Sequence, residues 1–198
     1  IIQWLPQLAP EGPVAIVQPT YAEHALAWRR AGHQVIASSP AMPLPDAARH
    51  LVIVNPNNPD GHLFERERLA GLAADVATRG GWLVIDESFI DVVPDASAAA
   101  LCRDLPVLIL RSFGKFFGLA GLRLGFLLAR PDIAGQVAEA LGPWSVAAPA
   151  ASCRWRRSSA SGPTPFSSAA RTTAPRTRAA PCSCTPPSLT CSRPSAAS

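Results

Sequence analysis

Residues 1 to 150 predict an α/β fold, a mainly parallel sheet sandwiched by helices, on three observations. Short apolar runs recur, stretches with helical periodicity separate them, and glycine or proline stands at most changeovers. Continuous apolar runs suit strands covered on both faces, whereas a sheet with one wet face would alternate apolar with polar residues.

The elements follow in order. Ile1 to Leu8 is an amphipathic stretch. Pro13 to Val17 reads as a strand, Tyr21 to Ala31 as a helix ended by Gly32, and Leu51 to Val54 as a second buried strand. The next helix spans Glu65 to Arg79, with Leu69, Leu72, Ala73 and Val76 on one face and Gly80-Gly81 as its stop. Trp82 to Ile85 forms the third strand. A short helix from Ala96 to Arg103 then leads to the strand Val107 to Leu110. A glycine-rich loop precedes the strand Leu124 to Leu128, and Pro131 opens a helix that runs to Leu141.

Composition sets the outer limits. With 48% hydrophobic and 16% charged residues the chain can build a core, and no apolar run nears the roughly 18 residues that span a bilayer, so no membrane partner is expected. The net charge of +4 averages two unlike segments. Residues 151 to 198 hold seven Arg and no acid, while residues 1 to 150 set eleven Lys plus Arg against fourteen acids. The body is therefore mildly acidic, which removes the main support for a nucleic-acid partner.

Of the last 48 residues, 44 are Ser, Ala, Arg, Pro, Cys or Thr, with neither Val nor Ile, and they cannot offset the entropy of ordering. The tail 151 to 198 is expected to be disordered, and the abrupt change after Ala150 reads as a GC-rich gene translated out of frame. An RNA-binding arm on a non-catalytic α/β domain is the rival reading, weakened by the lack of aromatic interleaving. Four of the five cysteines lie in this tail. Cys102 alone belongs to the body, which fits a reducing cytoplasm. His24, His33, His50 and His62 are scattered without metal-ligand spacing, so no metal site is expected.

Ligands of open α/β sheets sit beyond the C-terminal strand ends, and the residues there are unusual. Tyr21 follows the first strand, Asn55 to Gly61 the second, Asp86-Glu87 the third, and Ser112-Phe113-Gly114-Lys115 the fourth. An aromatic ring, a carboxamide, a carboxylate, a hydroxyl and an amine thus converge on one edge. Lys115 is the sole lysine of 198 residues, in a chain that otherwise uses arginine for positive charge. Only an amine can lose its proton and attack a carbonyl carbon, so a surviving lysine in this company suggests Schiff-base chemistry. Taken alone, Lys115 also reads as a solvated loop residue, Asp86 as a helix cap and Asn58 as a turn residue. Glu87 and Asp91 read as solvated or structural.

Ser112 to Lys115, continued by Gly118-Leu119-Ala120-Gly121-Leu122-Arg123-Leu124-Gly125, resembles the lysine segment of fold-type-I pyridoxal-phosphate enzymes, the aspartate and histidinol-phosphate aminotransferase group. Asn57-Asn58-Pro59-Asp60-Gly61 and Asp86-Glu87-Ser88-Phe89 resemble the two motifs that precede that lysine, in the same order. The resemblance covers residues 1 to 150 and implies a large cofactor-binding domain, pyridoxal phosphate as cofactor, a small amino acid or phosphorylated amino acid as substrate, and a homodimer. It further implies that Lys115 bonds the cofactor aldehyde and later moves the substrate proton, and that Asp86 pairs with the pyridine nitrogen. Asn58 would donate to the phenolic oxygen, Tyr21 would stack on the ring, and Ser112 and Arg123 would hold the phosphate.

Two details are similar to one branch of that family, the threonine-phosphate decarboxylases of cobalamin biosynthesis. Phe89 stands where the aminotransferases usually carry tyrosine, and Pro143-Trp144-Ser145-Val146 is unlike the histidinol-phosphate branch. Amino transfer to 2-oxoglutarate stays open, because both reactions share the cofactor ligands. The family's N-terminal arm, its glycine-rich phosphate cup and its small C-terminal domain are not visible, so the chain is expected to be an incomplete copy with weak or no turnover.

Overall fold

The computed structural model describes residues 1–143 and 145–146. The tail 151–198, the change after Ala150 and Trp144 lie outside them. In chain order the elements are α1 (Leu5–Leu8), β1 (Val14–Val17), α2 (Ala22–Arg30), β2 (Val35–Ser38), β3 (His50–Val54), α3 (Arg66–Thr78), β4 (Leu83–Asp86), β5 (Val107–Ser112), β6 (Gly125–Leu128) and α4 (Pro131–Leu141). They build one six-stranded sheet of order β2-β1-β3-β4-β5-β6.

Period-two alternation divides the strand side chains between two cores. Ala15, Val17, Leu51, Ile53, Leu83, Ile85, Val107 and Ile109 meet Leu69, Leu72, Ala73 and Val76 of α3 on one face. Val14, Ile16, Val52, Val84, Leu108 and Leu110 meet Leu5, Trp28 of α2 and Ile133 and Val137 of α4 on the other. β1, β3 and β4 are buried throughout, which is why they appear as unbroken apolar runs in the sequence.

The structure adds to the sequence reading, or departs from it, in four places. β2 gave no sequence signal because it is an edge strand of four residues, only partly buried. β6 runs antiparallel to β5. A parallel return needs a crossover helix against one face, and the Phe113–Leu124 connection offers only the single 3₁₀ turn Ala120–Leu122. The expected helix from Ala96 to Arg103 is instead divided between two 3₁₀ turns, Pro94–Ala96 and Ala99–Arg103, since the extended Ser97 interrupts it. The opening stretch is helical only over Leu5–Leu8.

Below the sheet's N-terminal edge, His50 accepts the Trp82 N–H at Nδ1 (3.0 Å) and donates from Nε2 to the Pro10 carbonyl (2.7 Å). Burial pushes this ring down to about 4, so it stays neutral across the physiological range. Gly81 must be glycine for a different reason: a Cβ there would lie 1.8 Å from the Arg49 carbonyl oxygen.

The α3 contact makes a direct test of the core. Leu69→Ala empties a wholly buried site and should cost about 2–5 kcal/mol in urea unfolding, while Met42→Ala, at an exposed position, should stay within about 0.5 kcal/mol of the parent.

Candidate functional site

The parallel ladder holds three strands in register. Val54 pairs with Asp86, and Asp86 pairs with Leu110, so β3 and β4 end on one rung while β5 passes it and runs two residues further, to Ser112. β1 lies between β2 and β3, and the chain direction across the sheet reverses there, which opens a crevice at the strand ends. A cavity of about 440 Å³ fills that crevice. Tyr21, Asn58, Asp86, Ser112, Lys115 and Arg123 all line it, together with Val54, Ser88 and Phe89. Six residues spread over 103 positions of sequence are thereby gathered around one space.

Asp86 closes β4 and is 4% exposed. Its Oδ2 meets Nε2 of His24 at 2.9 Å, and its Oδ1 accepts the Ser88 N–H at 3.0 Å and the Ser88 hydroxyl at 2.5 Å. Burial by itself would raise this carboxyl. The His24 ring and the Ser88 donors outweigh that effect and hold it below the ordinary aspartate value. A buried carboxylate that keeps its charge is suited to pairing with a cationic ring nitrogen.

Glu87, the next residue, points through the opposite face of the sheet and is wholly buried. Burial pushes its carboxyl up, against the pull of Ala98 N–H, Ser97 and Arg111. Alternation along one strand thus gives adjacent acids opposite shifts. The sequence reading allowed Glu87 to be solvated or structural, and the structure makes it structural.

Lys115 sits in the turn that follows β5. Gly114 N–H donates to the Ser112 hydroxyl at 3.2 Å and Gly118 N–H to the Lys115 carbonyl at 3.1 Å, which fixes the loop around the amine. Lys115 Nζ lies 5.6 Å from the centroid of the Phe89 ring, a cation–π contact at the position where a tyrosine hydroxyl was noted as missing. Arg123 is the only non-glycine among the described residues with positive φ, at 49°. That strained backbone carries an exposed guanidinium on the cavity wall.

The loop after β3 is tied to the loop after β1 through Asn57, not Asn58. Asn57 donates to the Pro19 carbonyl (2.9 Å) and to Asp60 (2.7 Å), and accepts the Thr20 hydroxyl (2.7 Å). Asn58 is left exposed beside the cavity. Tyr21 is 47% exposed and meets His24 edge-on at 6.1 Å.

Sequence reasoning missed His24, which it grouped with the scattered histidines. The signal was present: His24 lies three residues beyond Tyr21, on the same helix face at the same sheet edge. Among the described residues no cluster of His, Cys, Asp or Glu could hold a metal, and no helix is long and apolar enough to cross a membrane.

The His24–Asp86 pair predicts a pH-dependent stability. Asp86 has a lowered native value, so its contribution is present above the ordinary aspartate value of 3.8 and is lost as pH falls through the native value. His24→Leu should destabilise by about 1–3 kcal/mol near neutral pH in urea titrations. The difference from the parent should shrink as pH falls below the ordinary aspartate value and protonation removes the buried charge.

The profile of the aminotransferase class I and II family matches residues 1–173. A threonine-phosphate decarboxylase from Pseudomonas aeruginosa is 48% identical over 150 residues, 75% of this chain and 45% of that protein. A histidinol-phosphate aminotransferase from Pectobacterium carotovorum is 36% identical over 107 residues, 54% of this chain and 30% of the relative. The crystal structure of L-threonine-O-3-phosphate decarboxylase from Porphyromonas gingivalis superposes with a TM-score of 0.66 at 25% identity, covering 75% of this chain and 49% of that one. The chain therefore spans about half the length of the decarboxylases it matches. A mainly parallel sheet in register at its C-terminal edge, a lysine turn beside a buried carboxylate, and a profile match over most of the sequence lead to one conclusion: the chain belongs to the aminotransferase class I and II family.

Proposed function

We propose that this chain is the cofactor-binding part of a pyridoxal-phosphate-dependent lyase that decarboxylates threonine phosphate to aminopropanol phosphate, a step of cobalamin biosynthesis. The observation that carries this reading is the convergence of the only lysine with an ionised buried aspartate, a carboxamide, a tyrosine, a serine and an arginine on one cavity.

The donor set suits the cofactor group by group. An amine matches an aldehyde, a buried carboxylate matches a pyridinium, and a hydroxyl with an arginine matches a phosphate. About 440 Å³ falls within the range of small-molecule sites. Once bound, pyridoxal phosphate supplies an electron-accepting ring that stabilises negative charge at the substrate Cα.

The chain's own residues do the rest. Asp86 keeps a proton on the ring nitrogen, and His24 keeps Asp86 oriented and charged. Lys115 Nζ would bond the cofactor aldehyde and, once released, would move a proton at Cα. Asn58 would hold the phenolic oxygen, Tyr21 the ring, and Ser112 and Arg123 the phosphate. Phe89 supplies an apolar wall in place of a hydroxyl. The active form in this reading is a cytoplasmic homodimer with a small phosphorylated amino acid as its substrate. The decarboxylase identity of 48% against 36% for the histidinol-phosphate aminotransferase favours carbon dioxide loss. Amino transfer to 2-oxoglutarate is the second reading, since both branches match.

Mixing the chain with pyridoxal phosphate should give a visible absorption band and, after borohydride, an adduct mapped to residue 115. Lys115→Arg should lose both, and a band of equal strength in that variant would sink the assignment. Asp86→Asn should weaken cofactor affinity by about tenfold or more through loss of the paired charge. Carbon dioxide released from threonine phosphate, without amino transfer to 2-oxoglutarate, separates the first reading from the second.

A further inference from the structure

Behind the cavity floor, on the sheet face that carries α3, lies a charged cluster that the proposed chemistry does not use. Glu87 accepts two hydrogen bonds, from the Ala98 N–H at 2.7 Å on Oε1 and from the Ser97 hydroxyl at 2.9 Å on Oε2, and Arg111 Nε forms an ion pair with Oε2 at 2.9 Å. The Arg111 fork is also engaged at both other nitrogens, with Asp91 at 3.3 Å and the Ser97 hydroxyl at 3.1 Å. Glu87 is 0% exposed, and the Arg111 side chain is 24% exposed at the cavity edge.

Its place in the fold gives the cluster meaning. Glu87 N–H donates to the Leu110 carbonyl at 2.9 Å, one rung beyond the paired residues Asp86 and Leu110. At that rung the two strands part. β4 gives way to the 3₁₀ turn Ile90–Val92, while β5 continues beside β6 to Ser112 and the lysine turn. The Glu87–Arg111 pair is the last side-chain link before the strands separate. Each partner neighbours a cavity residue in sequence: Glu87 follows Asp86, and Arg111 precedes Ser112. Alternation sends the pair to one face and Asp86 and Ser112 to the other.

We propose that Glu87 and Arg111 are a positioning couple that sets the separation of Asp86 from the Ser112–Lys115 turn, and so the fit of a pyridoxal-type ligand between carboxylate and amine. The inference rests on the functional reading above. An apolar pair of similar volume would fill the space without fixing direction, whereas a planar guanidinium held at three points, by the Glu87 charge, by Asp91 and by the Ser97 hydroxyl, constrains both distance and angle. Ser97 extends the constraint by touching both partners, so the 3₁₀ segment behind the site locks the same junction.

The sole lysine makes the test specific. Reductive methylation with ¹³C-formaldehyde labels Lys115 and the chain's N-terminal amine, and the Lys115 resonance is the one absent from Lys115→Arg. Pyridoxal phosphate affinity is read by absorbance titration on unmethylated protein. Arg111→Met should weaken affinity at least about tenfold and move the Lys115 resonance, with Arg111→Gln recovering part of both because it keeps a donor. Ser97→Ala should stay folded and shift affinity about two- to threefold, which keeps the proposal exposed to refutation should Arg111→Met not fold. Leu69→Ala supplies a variant that loses stability without touching the junction, and its affinity and resonance should match the parent. The positioning role is overturned if Arg111→Met and Ser97→Ala bind like the parent, or if Leu69→Ala loses as much affinity as they do. A parent chain with no Lys115-dependent band would overturn the functional reading and this inference together, whereas an intact band unmoved by the junction variants would overturn this inference alone.

Discussion

The register of three parallel strands is the constraint on which the site depends. Val54, Asp86 and Leu110 occupy one rung of the ladder, so the loops that leave β3 and β4 start from the same height and β5 carries Ser112 two residues beyond it. A shift of one residue in β4 would turn Asp86 towards the α3 core and Glu87 into the cavity. The apolar alternation that fills both cores therefore also determines which acid faces the ligand. Packing and chemistry are coupled through a period of two.

Electrostatics then refines what register supplies. Two neighbouring carboxyls, each nearly or wholly buried, shift in opposite directions because one gains a histidine and a serine while the other is dominated by burial. Cys102 shows the same desolvation in a neutral group: burial pushes its thiol up to about 11, so it behaves as an inert core residue. Lys115, in contrast, stays exposed at the cavity mouth, where an amine is free to change partners. The arrangement keeps permanent charge at the floor and exchangeable chemistry at the rim.

Much of this was legible from residues alone because the signals are local. β1, β3, β4 and β5 stand out as apolar runs since each is covered on both faces, and α4 matches its predicted bounds at both ends because Pro131 opens it and Gly142 follows it. The candidate ligands were found by looking just past those runs. β2 was invisible, having too few residues and too little burial to differ from loop. His24 was passed over because its partner lies 62 positions away, and no spacing in a single sequence announces such a pair. Asn57 was outweighed by Asn58, although it is Asn57 that holds the loop.

What the sequence determined by itself was the inventory: which segments are the buried strands, which residue types end them, and that one amine stands among many guanidiniums. These follow from short-range periodicity and composition, which a linear chain displays openly. The tertiary structure alone decided who meets whom. It bonded His24 to Asp86, joined Glu87 to Arg111 behind the floor, set Lys115 over Phe89, and reversed the direction of β6. Each of these depends on how strands are ordered and registered side by side, and that long-range pairing is selected by packing both cores at once.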